Sequence, residues 1–384
     1  MSLLDRKILL FANTDWYLYN FRLSLAHLLR ERGWEVVLAS PPGNYTPHLE
    51  DEGFRWVPVV LSRRGVIPHQ ELRSLLRLNV ICKKERPDVL HNFTIKPVIY
   101  GSLTGCWLGT PVVVNSITGL GYLFLSETYG ARLLRSLVMP VYRYLLANPR
   151  IRVIFENDSH QELFLSRGLV RAWQTTVIQG VGVDLIRFSP TPEPSDPPVV
   201  LMASRLLWDK GVREFVEAAR LFTLKKTMVR FVLVGSPDPG NPSSIPVDQI
   251  RSWVQEGLIE WWGHRNDMPD VFANSHIVVL PSYGEGVPTV LMEAAASGRP
   301  IVASDVPGCR EVVCHGETGL LTRVKDPRSV AEALETLIKD KDLRRRMGQR
   351  GRKWVELRFD QKVINEQTLR VYNDALQVKK GEMA

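Results

Sequence analysis

Residues 281–293 read Pro281-Ser-Tyr-Gly-Glu-Gly-Val-Pro-Thr-Val-Leu-Met-Glu293, a pattern that predicts a connection from a strand to a helix. An apolar strand at residues 276–280 ends directly before it, and a helix is predicted to run from its second half to about Ser297. A strand, a glycine turn and a helix N-terminus together form an anion site, because free backbone N–H groups and the helix dipole point the same way. Two carboxylates, Glu285 on the loop and Glu293 in the helix, could accept hydrogen bonds from hydroxyl groups of a ligand. We therefore expect a ligand with both phosphate and hydroxyl groups, such as a sugar nucleotide.

Length and composition indicate a globular protein of two domains. The 384 residues exceed what one hydrophobic core normally holds, while 45% hydrophobic and 23% charged residues are ordinary for a globular chain. No run of about 18 uncharged apolar residues predicts a membrane span, and the N-terminus does not resemble a signal peptide. The net charge of +8 favours an anionic partner, but Lys and Arg are spread along the chain. Nucleic acid is therefore not expected as a partner.

The cysteines show no pattern of a metal site or a disulfide framework. Cys82, Cys106, Cys309 and Cys314 form no CxxC motif and no Cys/His cluster with zinc spacing. We expect inert thiols in a reducing cytoplasm.

The first half alternates between strands and helices. Seven segments are predicted to be strands, at residues 7–12, 34–39, 54–59, 88–91, 111–114, 152–155 and 175–178. A helix is predicted at 20–32, before Gly33, and further helices lie between most of the strands. Such alternation predicts a parallel doubly wound sheet in residues 1–188, with ligands at the carboxyl ends of its strands.

Three loops at those strand ends contain candidate residues on the acceptor side. The loop at 13–19 includes Asp15 and has no glycine, which excludes a dinucleotide fingerprint, and its aromatic residues suit either an acceptor or packing. His91 and Lys96 follow the fourth strand and could touch a hydroxyl or a phosphate, or be hydrogen-bonded structure. Thr118 and Gly119 belong to a loop at 115–125 whose apolar end either packs in the core or covers a lipid-bearing acceptor. Residues 156–159 are interpreted as a structural helix cap.

A basic helix at 131–146 suggests a membrane surface. Arg132, Arg135 and Arg143 interrupt an otherwise apolar segment, and Pro140 predicts a kink. A basic amphipathic helix can lie on an anionic membrane, but a buried helix with snorkelling arginines has the same pattern.

A proline-rich segment and a second series of strands follow. Residues 189–198 contain five prolines and are predicted to be an interdomain linker. Strands at 199–203, 229–234, 258–261, 276–280 and 300–303 predict a second Rossmann-like domain at 199–360. The terminal helix, within 361–384, is expected to cross back to the first domain.

The second domain presents cations at a strand-to-helix turn. Arg205 and Lys210 follow its first strand and could hold a diphosphate, with Gly211 allowing the backbone to approach. Gly235, after the second strand, and Arg265, after the third, lie on loops that could line the same cleft and meet a nucleotide.

These residues together resemble the retaining glycosyltransferases of family 4. The resemblance rests on Ser204-Arg205 with Lys210-Gly211, and on two glutamates separated by seven residues, Glu285 and Glu293. The segments at 298–305 and 316–321 continue it. The family implies the GT-B fold, in which two Rossmann-like domains face each other across a cleft. Within the family, residues 203–215 and 241–244 are similar to a bacterial subgroup that includes polysaccharide and undecaprenyl-diphosphate-oligosaccharide N-acetylgalactosaminyltransferases.

The resemblance implies a role for each matched residue. Arg205 and Lys210 would neutralise the departing nucleotide diphosphate, and no metal or other cofactor is expected. Glu285 would face the donor sugar, and Glu293 would hydrogen-bond the ribose. The remaining donor contacts are expected from the turn that joins the two glutamates, at Gly286, Val287, Pro288 and Thr289.

The resemblance also implies an activity and a location. We expect a hexose or N-acetylhexosamine, best N-acetylgalactosamine, to move from a UDP-sugar to a polyprenyl-diphosphate-linked saccharide in bacterial surface glycan biosynthesis. The enzyme would be peripheral on the inner face of the cell membrane, against its anionic surface. A GT-B sugar-nucleotide epimerase is the first alternative. A non-catalytic basic protein that binds membranes or nucleic acid is the second, suggested by charge alone.

Overall fold

The structure is a computed structural model that describes residues 6–61, 68–118, 129–195, 197–239 and 241–382. The chain divides into two compact units, Met1–Val181 with Lys362–Ala384, and Gly182–Gln361. Each unit is built on one parallel sheet with helices between its strands, so the predicted α/β class with two doubly wound sheets is confirmed.

The first unit contains a seven-stranded parallel sheet within the described residues. Its strands are β1 (Lys7–Phe11), β2 (Glu35–Ser40), β3 (Arg55–Pro58), β4 (Val89–Phe93), β5 (Val112–Ile117), β6 (Ile151–Phe155) and β7 (Thr175–Val177). They lie in the order β3-β2-β1-β4-β5-β6-β7. Its first helices are α1 (Asp15–Glu31), α2 (Thr46–Asp51), α3 (Pro68–Glu85), α4 (Ile95–Leu108), α5 (Tyr129–Leu146) and α6 (Asp158–Ser166).

The second unit repeats this plan with a six-stranded parallel sheet. Its strands are β8 (Val199–Ala203), β9 (Arg230–Val234), β10 (Glu260–Gly263), β11 (Ile277–Leu280), β12 (Ile301–Ser304) and β13 (Gly319–Thr322). They lie in the order β10-β9-β8-β11-β12-β13. The helices are α7 (Val212–Leu224), α8 (Val247–Gln255), α9 (Met268–Ala273), α10 (Thr289–Ala296), α11 (Pro307–Val312), α12 (Pro327–Lys339) and α13 (Lys341–Arg358).

Helix α14 (Gln361–Glu382) ends the described chain and packs on the first unit. Its Leu369 and Tyr372 share a buried cluster with Ile8 and Leu10 of β1 and with side chains of α1. The alternate β1 residues, Leu9 among them, pack on the other face with side chains of α3. Central strands of a parallel sheet are covered on both faces, which explains why β1 is a continuous apolar run.

The proline-rich segment lies inside the second unit and not between the units, which differs from the expected linker. Two buried arginines bind it. Arg344 donates to both carboxylate oxygens of Glu193 at 3.1 Å, and Arg299 donates to the carbonyl oxygen of Pro192 at 3.2 Å. Prolines exclude regular structure but not packing, and the composition alone could not show these long-range contacts.

Two elements of the first unit have other bounds than the sequence suggested. Helix α1 begins at Asp15 instead of residue 20, because the side chain of Thr14 caps it by accepting from the N–H of Tyr17 at 3.1 Å. Strand β4 continues to Phe93, two residues beyond the expected end. The loops expected at these two strand ends are therefore largely regular structure.

None of the helices that the structure describes combines the length and hydropathy needed to cross a membrane.

Candidate functional site

The opening stretch forms the expected strand, turn and helix. Strand β11 ends at Leu280, and α10 begins at Thr289 with Pro288 at the preceding position. Pro288 has no N–H and the N–H of Leu291 donates to its carbonyl oxygen, so the N–H groups of Thr289 and Val290 and the positive dipole end are what α10 directs toward the turn. Gly286, Val287 and Pro288 are buried in that turn. This is the geometry of a site for an anionic or polar ligand.

Lys210 and Glu285 meet at this turn. The Lys210 Nζ lies 2.6 Å from the Glu285 Oε1, although 75 positions separate the two residues along the chain. Their side chains are 19% and 11% exposed, so the pair is mostly desolvated but still reachable. The ammonium group has three donors, and a single carboxylate contact leaves it able to hold a second anion.

Backbone contacts fix the loop of Lys210 against the loop of Glu285. Gly211 has a φ of +77°, and a Cβ atom there would lie 2.0 Å from the carbonyl oxygen of Pro281. The carbonyl oxygen of Asp209 accepts from the N–H of Tyr283 at 2.9 Å and from the hydroxyl of Ser282 at 3.2 Å. Only glycine permits this approach, so Gly211 positions Lys210.

A pair formed by half-buried Tyr283 and buried Glu214 supports the same loops and was not predicted from the sequence. The Tyr283 hydroxyl donates to the Glu214 Oε1 at 2.8 Å, and the other Glu214 carboxylate oxygen is buried without a hydrogen bond. Burial and the neighbouring Glu214 carboxylate raise the pKa of Tyr283 above its usual value. An acidic residue in the first turn of a helix is usually explained by the dipole, so the sequence held no signal for this contact.

Glu293 lies in the second turn of α10. Burial raises the pKa of this carboxyl to about 7, and the charge of Arg187 opposes the rise. Its carboxylate has no hydrogen-bond partner among the described residues. A half-buried carboxylate without a partner is able to accept hydrogen bonds from hydroxyl groups of a ligand.

Arg205 is accessible and lies in a separate ion pair. Its Nη1 is 3.2 Å from the Asp238 Oδ2, and the side chain is 54% exposed. The loop at 241–244 adjoins it, where Ser243 accepts from the N–H of Trp208 at 2.8 Å and donates to Asp209 at 2.9 Å. The loop at 241–244 therefore stabilises the turn that carries Lys210.

Gly235 and Arg265 have contacts within the fold. The N–H of Gly235 donates to Gly263 at 2.7 Å, and its carbonyl accepts from the Trp261 indole at 2.9 Å. Arg265 forms a two-pronged pair with Asp267. Both residues lie after the strands where they were expected, but their polar groups face protein partners.

His91 is a core residue instead of the catalytic one expected from the sequence. It is fully buried within β4, its Nδ1 lying 2.5 Å from the Tyr372 hydroxyl and its Nε2 2.7 Å from the Ser116 hydroxyl. Burial and the charge of Arg22 hold the pKa of His91 well below its usual value. A neutral histidine with both nitrogens engaged has no free group for a substrate.

The other residues expected on the acceptor side of the first unit are also engaged. Asp15 is buried and accepts from the N–H groups of Tyr45 and Thr46 at 2.8 and 2.9 Å, so it shapes a loop and is not free for an acceptor. Lys96 pairs with Glu71 at 2.8 Å. Thr118 hydrogen-bonds Tyr17, and Gly119 lies outside the described residues.

Known proteins with the same elements identify the family of this chain. A family model described as "Glycosyl transferases group 1" matches residues 186–354, and one described as "Glycosyl transferase 4-like" matches residues 7–157. The chain is 30% identical to an N,N'-diacetylbacillosaminyl-diphospho-undecaprenol alpha-1,3-N-acetylgalactosaminyltransferase of Campylobacter jejuni, over 93% of this chain and 95% of the relative.

Two further proteins share most of its length. The chain is 27% identical to an Escherichia coli UDP-Gal:alpha-D-GlcNAc-diphosphoundecaprenol alpha-1,3-galactosyltransferase, over 80% of each chain. Its fold matches Anabaena HepE, solved in complex with UDP-glucose, with a TM-score of 0.77 at 21% identity, over 96% of this chain and 99% of that one. The chain therefore belongs to the group 1, family 4 glycosyltransferases and has their GT-B fold.

Proposed function

We propose that this glycosyltransferase moves a sugar from a UDP-sugar donor to a saccharide carried on a polyprenyl diphosphate, with retention of the anomeric configuration. The names of two relatives describe saccharides linked to undecaprenyl diphosphate, and one of them names a UDP-sugar donor. N-acetylgalactosamine is our best choice for the sugar because the relative at 30% identity is named for it. Such an acceptor would keep the enzyme at the inner face of the cell membrane.

The observation that carries the proposal is the meeting of Lys210 and Glu285 at the start of α10. A cation beside free helix amides suits a diphosphate, and a carboxylate at the same point suits sugar hydroxyls. Glu293 lies further along the same helix with a carboxylate free for the ribose. The second unit thus offers a partner for the diphosphate, the sugar and the ribose of a nucleotide sugar.

The reaction follows from these charges. The acceptor hydroxyl attacks the anomeric carbon from the face that the diphosphate leaves, and a phosphate oxygen of the leaving group takes its proton. Negative charge grows on the diphosphate as the bond breaks, and Lys210 with Arg205 would stabilise it most at the transition state. Glu285 would orient the sugar, and neither glutamate needs to transfer a proton.

The first unit would bind the acceptor. His91 and Asp15 have their polar groups hydrogen-bonded inside that unit, and Lys96 pairs with Glu71.

A nucleotide panel tests the donor. UDP, GDP and ADP are added separately, and the shift in unfolding temperature is compared between the wild type and Lys210→Ala. We expect UDP to give the largest stabilisation and the variant to lose most of it. A larger shift with GDP or ADP, or an equal UDP shift in the variant, would contradict the proposed site.

A further inference from the structure

Helix α3 carries a stripe of large apolar side chains that the first unit does not cover. Leu72, Leu76 and Val80 are 56%, 50% and 58% exposed. Their spacing of four residues aligns them along one side of the helix. Among the helix side chains that the structure describes, no other three large apolar residues are exposed at this spacing. Exposed apolar rows of this kind mark a surface that meets a partner.

Cations flank this stripe. Arg73, Arg77, Lys83 and Lys84 are all exposed on α3. None of the four forms an ion pair or a hydrogen bond to another side chain in the part of the chain that the structure describes. The stripe and these four cations are called the α3 face below.

The acidic residues of the same helix are turned away from that face. Glu71 pairs with Lys96 at 2.8 Å, and Glu85 is buried beside Arg55 at 2.7 Å. Both carboxylates are neutralised inside the unit, so the α3 face combines apolar and positive groups without an acidic one. The acidic and basic residues of α3 are separated by tertiary contacts. The sequence of α3, in which both charges are mixed, does not show this separation.

We propose that the α3 face binds an anionic lipid bilayer. An apolar stripe flanked by Lys and Arg lies in the interface of a membrane, with the stripe among the upper acyl chains and the cations at the headgroups. The inference rests on the proposed function, because a polyprenyl-linked acceptor requires the enzyme at a bilayer.

The surface differs from the membrane helix that the sequence suggested. In α5, Tyr142 and Leu146 are buried in a core cluster, and Arg143 donates to the carbonyl oxygen of Arg167 at 3.1 Å. The described part of α5 exposes Val141 and Tyr144 as its large apolar residues, which is a smaller row than that of α3.

A second copy of the chain fits the α3 face less well than a bilayer does. A two-fold dimer would bring the same surface of both copies together. The cations of one face would then lie beside those of the other without an acidic partner, which is unfavourable. An anionic bilayer instead satisfies both the apolar and the positive groups.

Vesicle flotation with the full-length protein tests this proposal. The vesicles consist of phosphatidylcholine with or without phosphatidylglycerol, and neither donor nor acceptor is added. The α3 variants are Arg73→Glu with Arg77→Glu, and Leu72→Ser with Leu76→Ser. The matched control is Arg345→Glu with Arg346→Glu on α13, which changes the net charge equally at exposed positions without an apolar stripe.

We expect the wild type and the control to bind the anionic vesicles and each α3 variant to bind at least about tenfold more weakly. Equal binding by the α3 variants, or an equal loss in the control, would overturn the proposal. So would a wild-type dimer in light scattering that Leu72→Ser with Leu76→Ser dissociates. An unchanged unfolding temperature shows that the variants fold, and UDP stabilisation measures the donor site separately, so failure of the proposed function is distinguishable.

Discussion

At the scale of single residues, the proposed donor site depends on a cation held close to a carboxylate. Lys210 and Glu285 neutralise each other at 2.6 Å in a mostly desolvated position. An arriving diphosphate would compete for the ammonium group, while the helix amides of α10 add further donors. The pair thus keeps a positive group in position before any ligand is bound.

Loss of the Lys210 charge is expected to impair the chemical step. Lys210→Ala should lower turnover at least about a hundredfold, since one stabilising group at a developing charge is worth about 3 kcal/mol. Lys339→Ala removes an exposed lysine of the same unit and should leave turnover unchanged. Steady-state rates measure both variants, and near-normal turnover of Lys210→Ala would refute the assignment.

The Glu293 carboxyl should make stability and donor binding respond to pH in opposite ways. Its folded pKa of about 7 exceeds the usual value of 4.5, so the fold favours the protonated form and loses stability as pH rises from about 4.5 to about 7, with no further loss from this group above that. Glu293→Gln imitates the protonated form, and we expect it to be more stable than the wild type at pH 8 but not at pH 4. Urea unfolding at both pH values checks this.

The same variant should bind UDP at least about tenfold more weakly at pH 8, because a carboxylate accepts ribose hydroxyls more strongly than an amide does. Wild-type affinity should also fall as pH drops below 7. An unchanged affinity in Glu293→Gln would place the ribose elsewhere.

The sequence predicted the position of those residues whose placement depends on local spacing, and their roles at the site stay predictions. Lys210 and Glu285 lie on short strand-to-helix connections and Glu293 lies in the helix after the second of them, so the order of residues determines the geometry. His91 and Asp15 could not be interpreted in this way, because their partners Tyr372 and Thr46 are distant in the chain. A polar residue near a strand end has the same sequence signature whether it faces a ligand or the core.

At the scale of elements, glycines bring the connections of the second unit together. Gly211 lies against the carbonyl of Pro281, and a Cβ atom at Gly308 in α11 would lie 1.8 Å from the carbonyl oxygen of Gly286. The turn of Glu285 is therefore held from two sides. The sequence predicted that Gly211 lets the backbone approach closely, but only the structure shows that α11 contacts this turn.

Two glycine variants distinguish the cost of a steric clash at this close approach from the cost of backbone strain alone. Gly211 and Gly257 have φ values of +77° and +71°, but no atom lies within 4 Å of a Cβ at Gly257. Gly257→Ala should cost about 1 kcal/mol of stability and leave activity intact. Gly211→Ala should cost about 3 kcal/mol or more and abolish measurable transfer, since the clash displaces Lys210. Denaturant unfolding and an activity assay measure both variants. Equal losses of stability and activity in the two would contradict a special role for the close contact at Gly211.

At the scale of the whole molecule, the second unit is an insertion into the first. The chain enters it at Gly182 and leaves it at Gln361, where the N–H of Gln361 donates to the carbonyl oxygen of Val183 at 3.1 Å. The alternation of strands and helices sufficed to predict the first sheet and five of the six described strands of the second, but not β13 (Gly319–Thr322). The proline content led to a predicted domain boundary at residue 188, before the proline-rich segment. Composition cannot show that Arg344 and Arg299 bind this segment within the second unit.

Because the two ends of the second unit are adjacent, we expect residues 182–361 to fold on their own. This fragment contains Arg205, Lys210, Glu285 and Glu293, and we expect it to bind UDP within about tenfold of the full-length affinity and to transfer no sugar. Calorimetry measures the affinity, and circular dichroism verifies the fold. A folded fragment that does not bind UDP would show that the first unit supplies donor contacts.

The most direct test of the central claim follows the anomeric proton of the sugar by NMR. UDP-N-acetylgalactosamine is incubated with the enzyme in detergent, with and without a polyprenyl-diphosphate-linked saccharide. We expect a new α-linked sugar on the acceptor, formed only when the acceptor is present and lost in Lys210→Ala. A β-linked product, or a new sugar nucleotide formed from the donor alone as an epimerase would make, would contradict it.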